Sequence, residues 1–192
     1  RLAGVRLNID DVCQMSTLFT NLPSLKHLRI GYHSTFDLSY QTEEERNDEA
    51  HKFKSLESLE MGLPTDCREH VSLFLECLPN LKALELYCDE TFYRSDAFDD
   101  PLHALVKVST KLIVLKLSNM REPISETFMK QIITKLNSLQ VLVFTPSPDH
   151  NDLLIPSKDL VKDILKSGRE ITSVIGVCID ERFDTMTSLM FK

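Results

Sequence analysis

Glycine is scarce in this chain, with five residues in 192. They form no cluster of the kind whose backbone amides cradle a phosphate, and no P-loop motif occurs. The signatures of an activated serine (GxSxG) and of a zinc peptidase (HExxH) are missing too. The six histidines are scattered along the chain, none paired with a cysteine or acid at ligand spacing. Cysteine is present but unorganised. Cys13, Cys67, Cys77, Cys88 and Cys178 are odd in number and contain no CxxC pair, so neither a disulfide framework nor a zinc site is indicated. They read as small buried hydrophobes. With no Asn-x-Ser/Thr sequon either, the composition fits a reducing compartment, cytoplasm or nucleus. Positive charge is also in deficit: 22 Lys and Arg against 29 Asp and Glu give −7, which argues against an electrostatic grip on nucleic acid. No run approaches 18 apolar residues, so no membrane span is expected. Together these absences predict a chain that is not an enzyme and takes no metal or cofactor.

What is present is repetition. The pattern Leu-x-x-Leu-x-Leu appears at Leu25, Leu28 and Ile30, and again at Leu56, Leu59 and Met61. It returns at Leu81, Leu84 and Leu86, at Leu112, Leu115 and Leu117, and at Leu139, Leu142 and Phe144. A degraded copy opens the chain at Leu2, Val5 and Leu7, and another closes it at Ile171, Val174 and Gly176. Self-similarity at intervals of about 20–50 residues marks a stacked repeat array. Helical stripes lie between the copies: Val12, Met15, Leu18, Phe19 and Leu22; Val71, Phe74, Leu75 and Leu78; Phe128, Ile132, Ile133 and Leu136; Leu160, Val161, Ile164 and Leu165. Asp100-Pro101 has the order of a helix cap followed by a first-position proline, Ser157 precedes the last stripe, and Gly168 follows it. Thr42 and Glu45 have capping-box spacing. Each unit is therefore a short strand, a loop and a helix. A single unit cannot bury its apolar side alone, so neighbours must stack.

This consensus resembles the leucine-rich-repeat superfamily, in its longer, ribonuclease-inhibitor-like class. The joints Leu22-Pro23-Ser24-Leu25-Lys26 and Leu78-Pro79-Asn80-Leu81-Lys82 resemble those of F-box proteins carrying such repeats. The resemblance implies an α/β fold, a right-handed horseshoe solenoid of about six to seven irregular repeats. Its parallel sheet would be concave and its helices would lie on the convex side. Residues 1–176 would form the array and 177–192 a C-terminal cap or tail. One departure stands out. The family's Asn or Cys, three residues after the third apolar position, is replaced here by His33, Pro64, Asp89, Met120 and Ser147.

Successive copies are 23, 31, 25, 31, 27 and 32 residues apart. The extra length falls after the strands of Leu25, Leu81 and Leu139, in segments 31–52, 88–100 and 145–156. Stacking sets three such loops on one rim. They hold 13 acids and 3 bases, a charge of −10 against −7 for the whole chain, so the remainder is about +3. Tyr32, Tyr40, Tyr87 and Tyr93, with Phe36, Phe92 and Phe98, fall in or beside the first two loops. Two readings stay open: these aromatics meet a partner with basic and apolar features, or they cover the edge of their own domain.

Alternation along a strand places the residues flanking the middle leucine on the concave face. In chain order these are His27 and Arg29, Ser58 and Glu60, Ala83 and Glu85, Val114 and Lys116, Val141 and Val143, Ser173 and Ile175. The face changes from charged to apolar, and either a partner or the tail from Cys178 onward would cover its apolar end. The candidate partner-binding residues are Tyr32, Tyr87, Phe92, Tyr93, His27, Arg29, Glu60, Glu85, Val141 and Val143. The resemblance implies a protein-binding recognition domain of an intracellular adaptor, most like the substrate-recognition part of an F-box-type ubiquitin-ligase receptor. The alternatives are the ligand-sensing repeats of a nucleotide-binding innate immune receptor and a structural assembly scaffold. A first strand without a polar cap suggests part of a longer chain.

Overall fold

The structure is a computed structural model, and it describes residues 5–6, 20–30, 53–63, 68–88, 99–108, 111–120, 126–146 and 173–176. The described strands are β1 (Val5–Arg6), β2 (His27–Ile30), β3 (Ser58–Leu63), β4 (Ala83–Cys88), β5 (Val114–Met120), β6 (Val141–Pro146) and β7 (Ser173–Gly176). They form one sheet in chain order, and every neighbouring pair is parallel. Three helices are described: α1 (Arg68–Glu76), α2 (Asp99–Val108) and α3 (Glu126–Lys135). Each falls between consecutive strands of the β3–β6 stretch, as parallel pairing requires of a crossover. The fold is α/β.

The register follows the repeat. Val5 pairs with Leu28, Leu28 with Leu59, Leu59 with Leu84, Leu84 with Leu115, Leu115 with Leu142 and Leu142 with Val174. These are the middle positions of the seven sequence copies, so one residue of each lies in a single row across the sheet. The physical cause is burial. Leu28, Leu59, Leu84, Leu115 and Leu142 are at most 3% exposed, and a slip of one residue would turn each to the opposite face. Fully burying one such side chain stabilises the fold by about 1.5–3 kcal/mol.

Entry into four of the described strands, β2, β3, β4 and β6, is built the same way. Leu25, Leu56, Leu81 and Leu139 each donate an amide hydrogen bond to the carbonyl three residues back, on Leu22, Phe53, Leu78 and Leu136. These are tight turns, and Pro23 and Pro79 sit at the position where a fixed φ suits them. The chain then docks on the preceding strand through two donors on one acceptor. Glu57 and Ser58 share the Lys26 carbonyl, Lys82 and Ala83 share Glu57's, Ile113 and Val114 share that of Lys82, and Gln140 and Val141 share that of Ile113.

The helices bury their stripes against one face of the sheet. Val71, Phe74 and Leu75 of α1, Leu105 of α2, and Ile132 and Ile133 of α3 belong to the same buried cluster as the strand leucines. Successive helices also pack on one another. Lys107 of α2 reaches Glu76 of α1 at 3.7 Å. Helix α2 begins at Asp99, one residue before the expected cap. Pro101 still falls in the first turn, where its missing N–H leaves no helical acceptor unsatisfied. The expected helices over 12–22 and 160–165, and the caps at Thr42, Ser157 and Gly168, lie outside the described residues, except that Thr20 and Asn21 are helical. In β5, Leu117 pairs with Phe144 and Met120 with Pro146, so Ser118 and Asn119 together oppose Thr145. Asn119 takes the left-handed φ of 60° at this bulge, a conformation that asparagine tolerates well among residues with a side chain.

Candidate functional site

The helices cover one face of the sheet and leave the other more open. On the open face His27 is exposed, while Arg29, Glu60, Glu85, Val141 and Val143 are half-buried, as are Ser58, Ala83, Val114 and Lys116. The structure therefore brings six of the sequence-predicted binding residues onto one surface. Register aligns them in two rows. One runs His27, Ser58, Ala83, Val114, Val141; the other runs Arg29, Glu60, Glu85, Lys116, Val143.

The second row is a charge ladder. The Arg29 guanidinium meets the Glu60 carboxylate at 2.8 Å, and the Lys116 ammonium meets Glu85 at 3.3 Å. The Ser118 hydroxyl donates to Glu85 at 3.4 Å. The sequence of signs, plus-minus-minus-plus, pairs each acid with an outer cation, so the face is nearly neutral at this end. The side chains keep 32–44% exposure, at which ion pairs contribute only about 0.2–1 kcal/mol each to folding. Their larger consequence is a fixed pattern of donors and acceptors available to a bound surface. Beyond Lys116 the row becomes apolar at Val143, beside Val141 and Val114.

Tyr87 differs from the other candidates. It follows Ala83 and Glu85 on the open face, but it is 9% exposed and its hydroxyl donates to the Ile30 carbonyl at 2.7 Å. That carbonyl ends β2, two strands away. The residue of β3 between them is Gly62, paired with Tyr87. With no side chain at 62, the phenol ring passes over β3. Burial pushes the Tyr87 phenol above its usual pKa, Glu60's carboxylate adds to the rise, and Arg29 opposes it. Of the two readings left open by the sequence, this placement favours the aromatic that covers its own domain. Tyr32, Phe92 and Tyr93 lie outside the described residues, as do almost all of the acidic loops. The strands that precede those loops, β2, β4 and β6, all end at the same edge because the sheet is parallel.

A second constellation was not singled out from the sequence. At the strand-entry edge, Glu57 lies between two cations, with Lys26 at 2.9 Å and Lys82 at 2.7 Å. The turns beside it are stitched together by side chains. The Ser55 hydroxyl donates to the Leu25 carbonyl at 2.9 Å, the Asn80 amide to the Lys54 carbonyl at 2.8 Å, and the Lys111 ammonium to the Asn80 amide oxygen at 2.6 Å. These bonds form a side-chain ladder along the strand-entry turns. Hydrogen bonds from Lys82 and Lys26 hold the Glu57 carboxyl down at about 2, from an ordinary 4.5. A depressed folded value means that the stabilising contribution is complete above about 4.5 and disappears as pH falls toward 2. Thermal melts of the parent and of Glu57→Gln are therefore expected to differ at neutral pH and to converge between those limits. A constant difference down to the acid end contradicts the bridge.

Among the described residues no group of His, Cys, Asp and Glu is arranged to hold a metal ion, and no helix is long and apolar enough to cross a membrane. Cys77 carries a buried thiol, 1% exposed. Comparison with protein-family models, curated proteins and solved structures finds no match.

Proposed function

We propose that this chain is a leucine-rich-repeat solenoid that acts by binding a protein on the open face of its sheet. The observation that carries the reading is the contrast between the two faces. The row of Leu28, Leu59, Leu84, Leu115 and Leu142 is sealed at 3% exposure or less, whereas Arg29, Glu60, Glu85, Val114, Val141 and Val143 remain half-open on the other face. A surface that joins fixed charges to an adjacent valine strip has the composition of an interface: an apolar part for affinity and a polar part for register. The in-register repeat supports the solenoid architecture, because only a stack of like units needs the same apolar triplet in every strand. With the F-box resemblance of the joints, the reading extends to the substrate-recognition part of a cytoplasmic or nuclear ubiquitin-ligase adaptor.

The test uses the full-length gene product carrying a photo-crosslinking residue at position 143, on the open face, or at 131, on the helical side. Expected is a discrete protein adduct from 143 and none from 131. In a second experiment, Val143→Glu or Glu85→Lys is expected to weaken capture of that same protein by about tenfold or more, the equivalent of about 1.4 kcal/mol. Equal adducts from both positions remove the open face as the binding surface. For the adaptor reading, the captured protein is expected to carry ubiquitin when the complete ligase is reconstituted.

A further inference from the structure

The strand-entry edge carries a groove of about 450 Å³ that is open to solvent, lined by Lys26, Lys54, Lys82 and Lys111 with Glu57 and Asn80 among the remaining lining residues. Four lysines and one glutamate give it a local charge of +3, in a chain whose total is −7. The lysines come one from each of four successive strand-entry segments, those of β2, β3, β4 and β5. Their compensation is incomplete. Glu57 bridges Lys26 and Lys82, Lys111 rests on the neutral Asn80 amide, and Lys54 has no ion pair among the described residues. Like charges placed this closely repel, and an arriving anion relieves that repulsion.

We propose that this groove is a second binding surface and that its ligand is a short, acidic, extended segment of a partner polypeptide. Three observations select that occupant. The groove spans four adjacent strands, about 14 Å at the usual strand spacing, a distance covered by about four to five extended residues. It is open rather than enclosed, so a small anion would leave most of its surface in water, unlike the ligands of enclosed pockets. The groove's lining carries +3 while the chain as a whole carries −7. A nucleic acid long enough to gain from its backbone would run past the four lysines over a domain of net negative charge, whereas a short acidic segment matches the length of the lysine row. Glu57 limits the strength of the site, because it neutralises part of the lysine charge through its bridges to Lys26 and Lys82. The inference stands apart from the open-face reading, because the groove shares no residue with that surface.

Fluorescence anisotropy of a short labelled Glu/Ser peptide tests it on the complete chain. Expected is saturable binding that weakens as salt rises, with no binding of a Lys/Ser peptide of the same length. Lys54→Glu combined with Lys111→Glu is expected to weaken binding by about tenfold or more. Glu57→Gln, which removes the groove's own anion, is expected to tighten it severalfold, while Val143→Glu on the open face leaves it unchanged. These side chains lie at the surface, and circular dichroism establishes that each variant is folded. The opposite response of Glu57→Gln separates a charge effect from loss of structure. The proposal is overturned if the parent chain does not bind the peptide, or if the lysine variant binds it equally well. It is also overturned if a single-stranded oligonucleotide of equal charge binds more tightly through the same lysines, or if inorganic phosphate displaces the peptide at matched ionic strength.

Discussion

Phe74→Ala is expected to lower the stability of the domain by about 3–5 kcal/mol, the usual cost of truncating a buried aromatic. Phe74 is fully buried on α1, and its ring meets that of Phe53 edge to face, with centroids 5.4 Å apart and planes at 84°. Phe53 begins the turn that leads into β3, and it too is fully buried. The pair therefore joins the turn before one strand to the helix after it. Such an aromatic contact contributes about 0.5–1.5 kcal/mol beyond the area it removes from water. A sheet whose strands follow chain order gives each unit only two neighbours, so few other contacts are available to take over the load. Single domains have about 5–15 kcal/mol in total, which makes this one change a large fraction of the reserve. Urea denaturation of Phe74→Ala, Phe53→Leu and the double variant measures the coupling directly. The doubly substituted protein is expected to lose less than the sum of the single losses. A loss below about 1 kcal/mol for Phe74→Ala, or strict additivity, means that the site collapses around the cavity and that the ring pair is incidental.

The period of the sequence was sufficient to place every described strand and its register, because burial acts on one residue at a time. Each middle leucine must face the core, and the spacing of those leucines in the chain is the spacing of the strands. Helices α1 and α3 were legible for the same reason, since Val71, Phe74 and Leu75, like Ile132 and Ile133, mark a buried stripe. Helix α2 announced itself through Pro101 alone. The open face was legible by alternation. The two features that distinguish this chain were harder to read, because they depend on partners in other units. Tyr87 finds its acceptor 57 residues away, and its environment follows from the absence of a side chain at 62. Lys26, Glu57 and Lys82 become a cluster only when three units stack. A signal for them was present: removal of the acidic loops left about +3 on the rest of the chain, and two of the lysines end the repeated joints at 22–26 and 78–82. The density of acids and tyrosines in the loops drew attention to the opposite edge instead.

Gly62→Val is expected to destabilise the protein by about 1–3 kcal/mol, a result opposite to what local preference predicts. Glycine in the interior of a strand is unfavourable by about 0.5–1 kcal/mol relative to alanine, and β-branched residues favour strands, so valine at this position should help an isolated β3. The structure assigns the space to another residue. Gly62 is buried and paired with Tyr87, and the Tyr87 ring must pass over β3 for its hydroxyl to reach the Ile30 carbonyl at 2.7 Å. A side chain at 62 meets that ring. Overpacking costs about 1–3 kcal/mol, and displacing the phenol breaks its hydrogen bond to the Ile30 carbonyl, a net loss of about 0.5–1.5 kcal/mol. The two effects together outweigh the gain in strand preference. Tyr87→Phe isolates the second, retaining the ring and deleting the donor, and is expected to cost about 0.5–1.5 kcal/mol alone. The decisive comparison is Gly62→Val in a Tyr87→Ala background, where the space above β3 is vacant. There the same substitution is expected to be neutral or stabilising, since only strand preference and added apolar contact remain. If Gly62→Val destabilises equally in both backgrounds, the glycine answers to something other than the tyrosine. If it stabilises in the parent, the ring does not cross β3, and Tyr87 returns to the set of residues available to a partner.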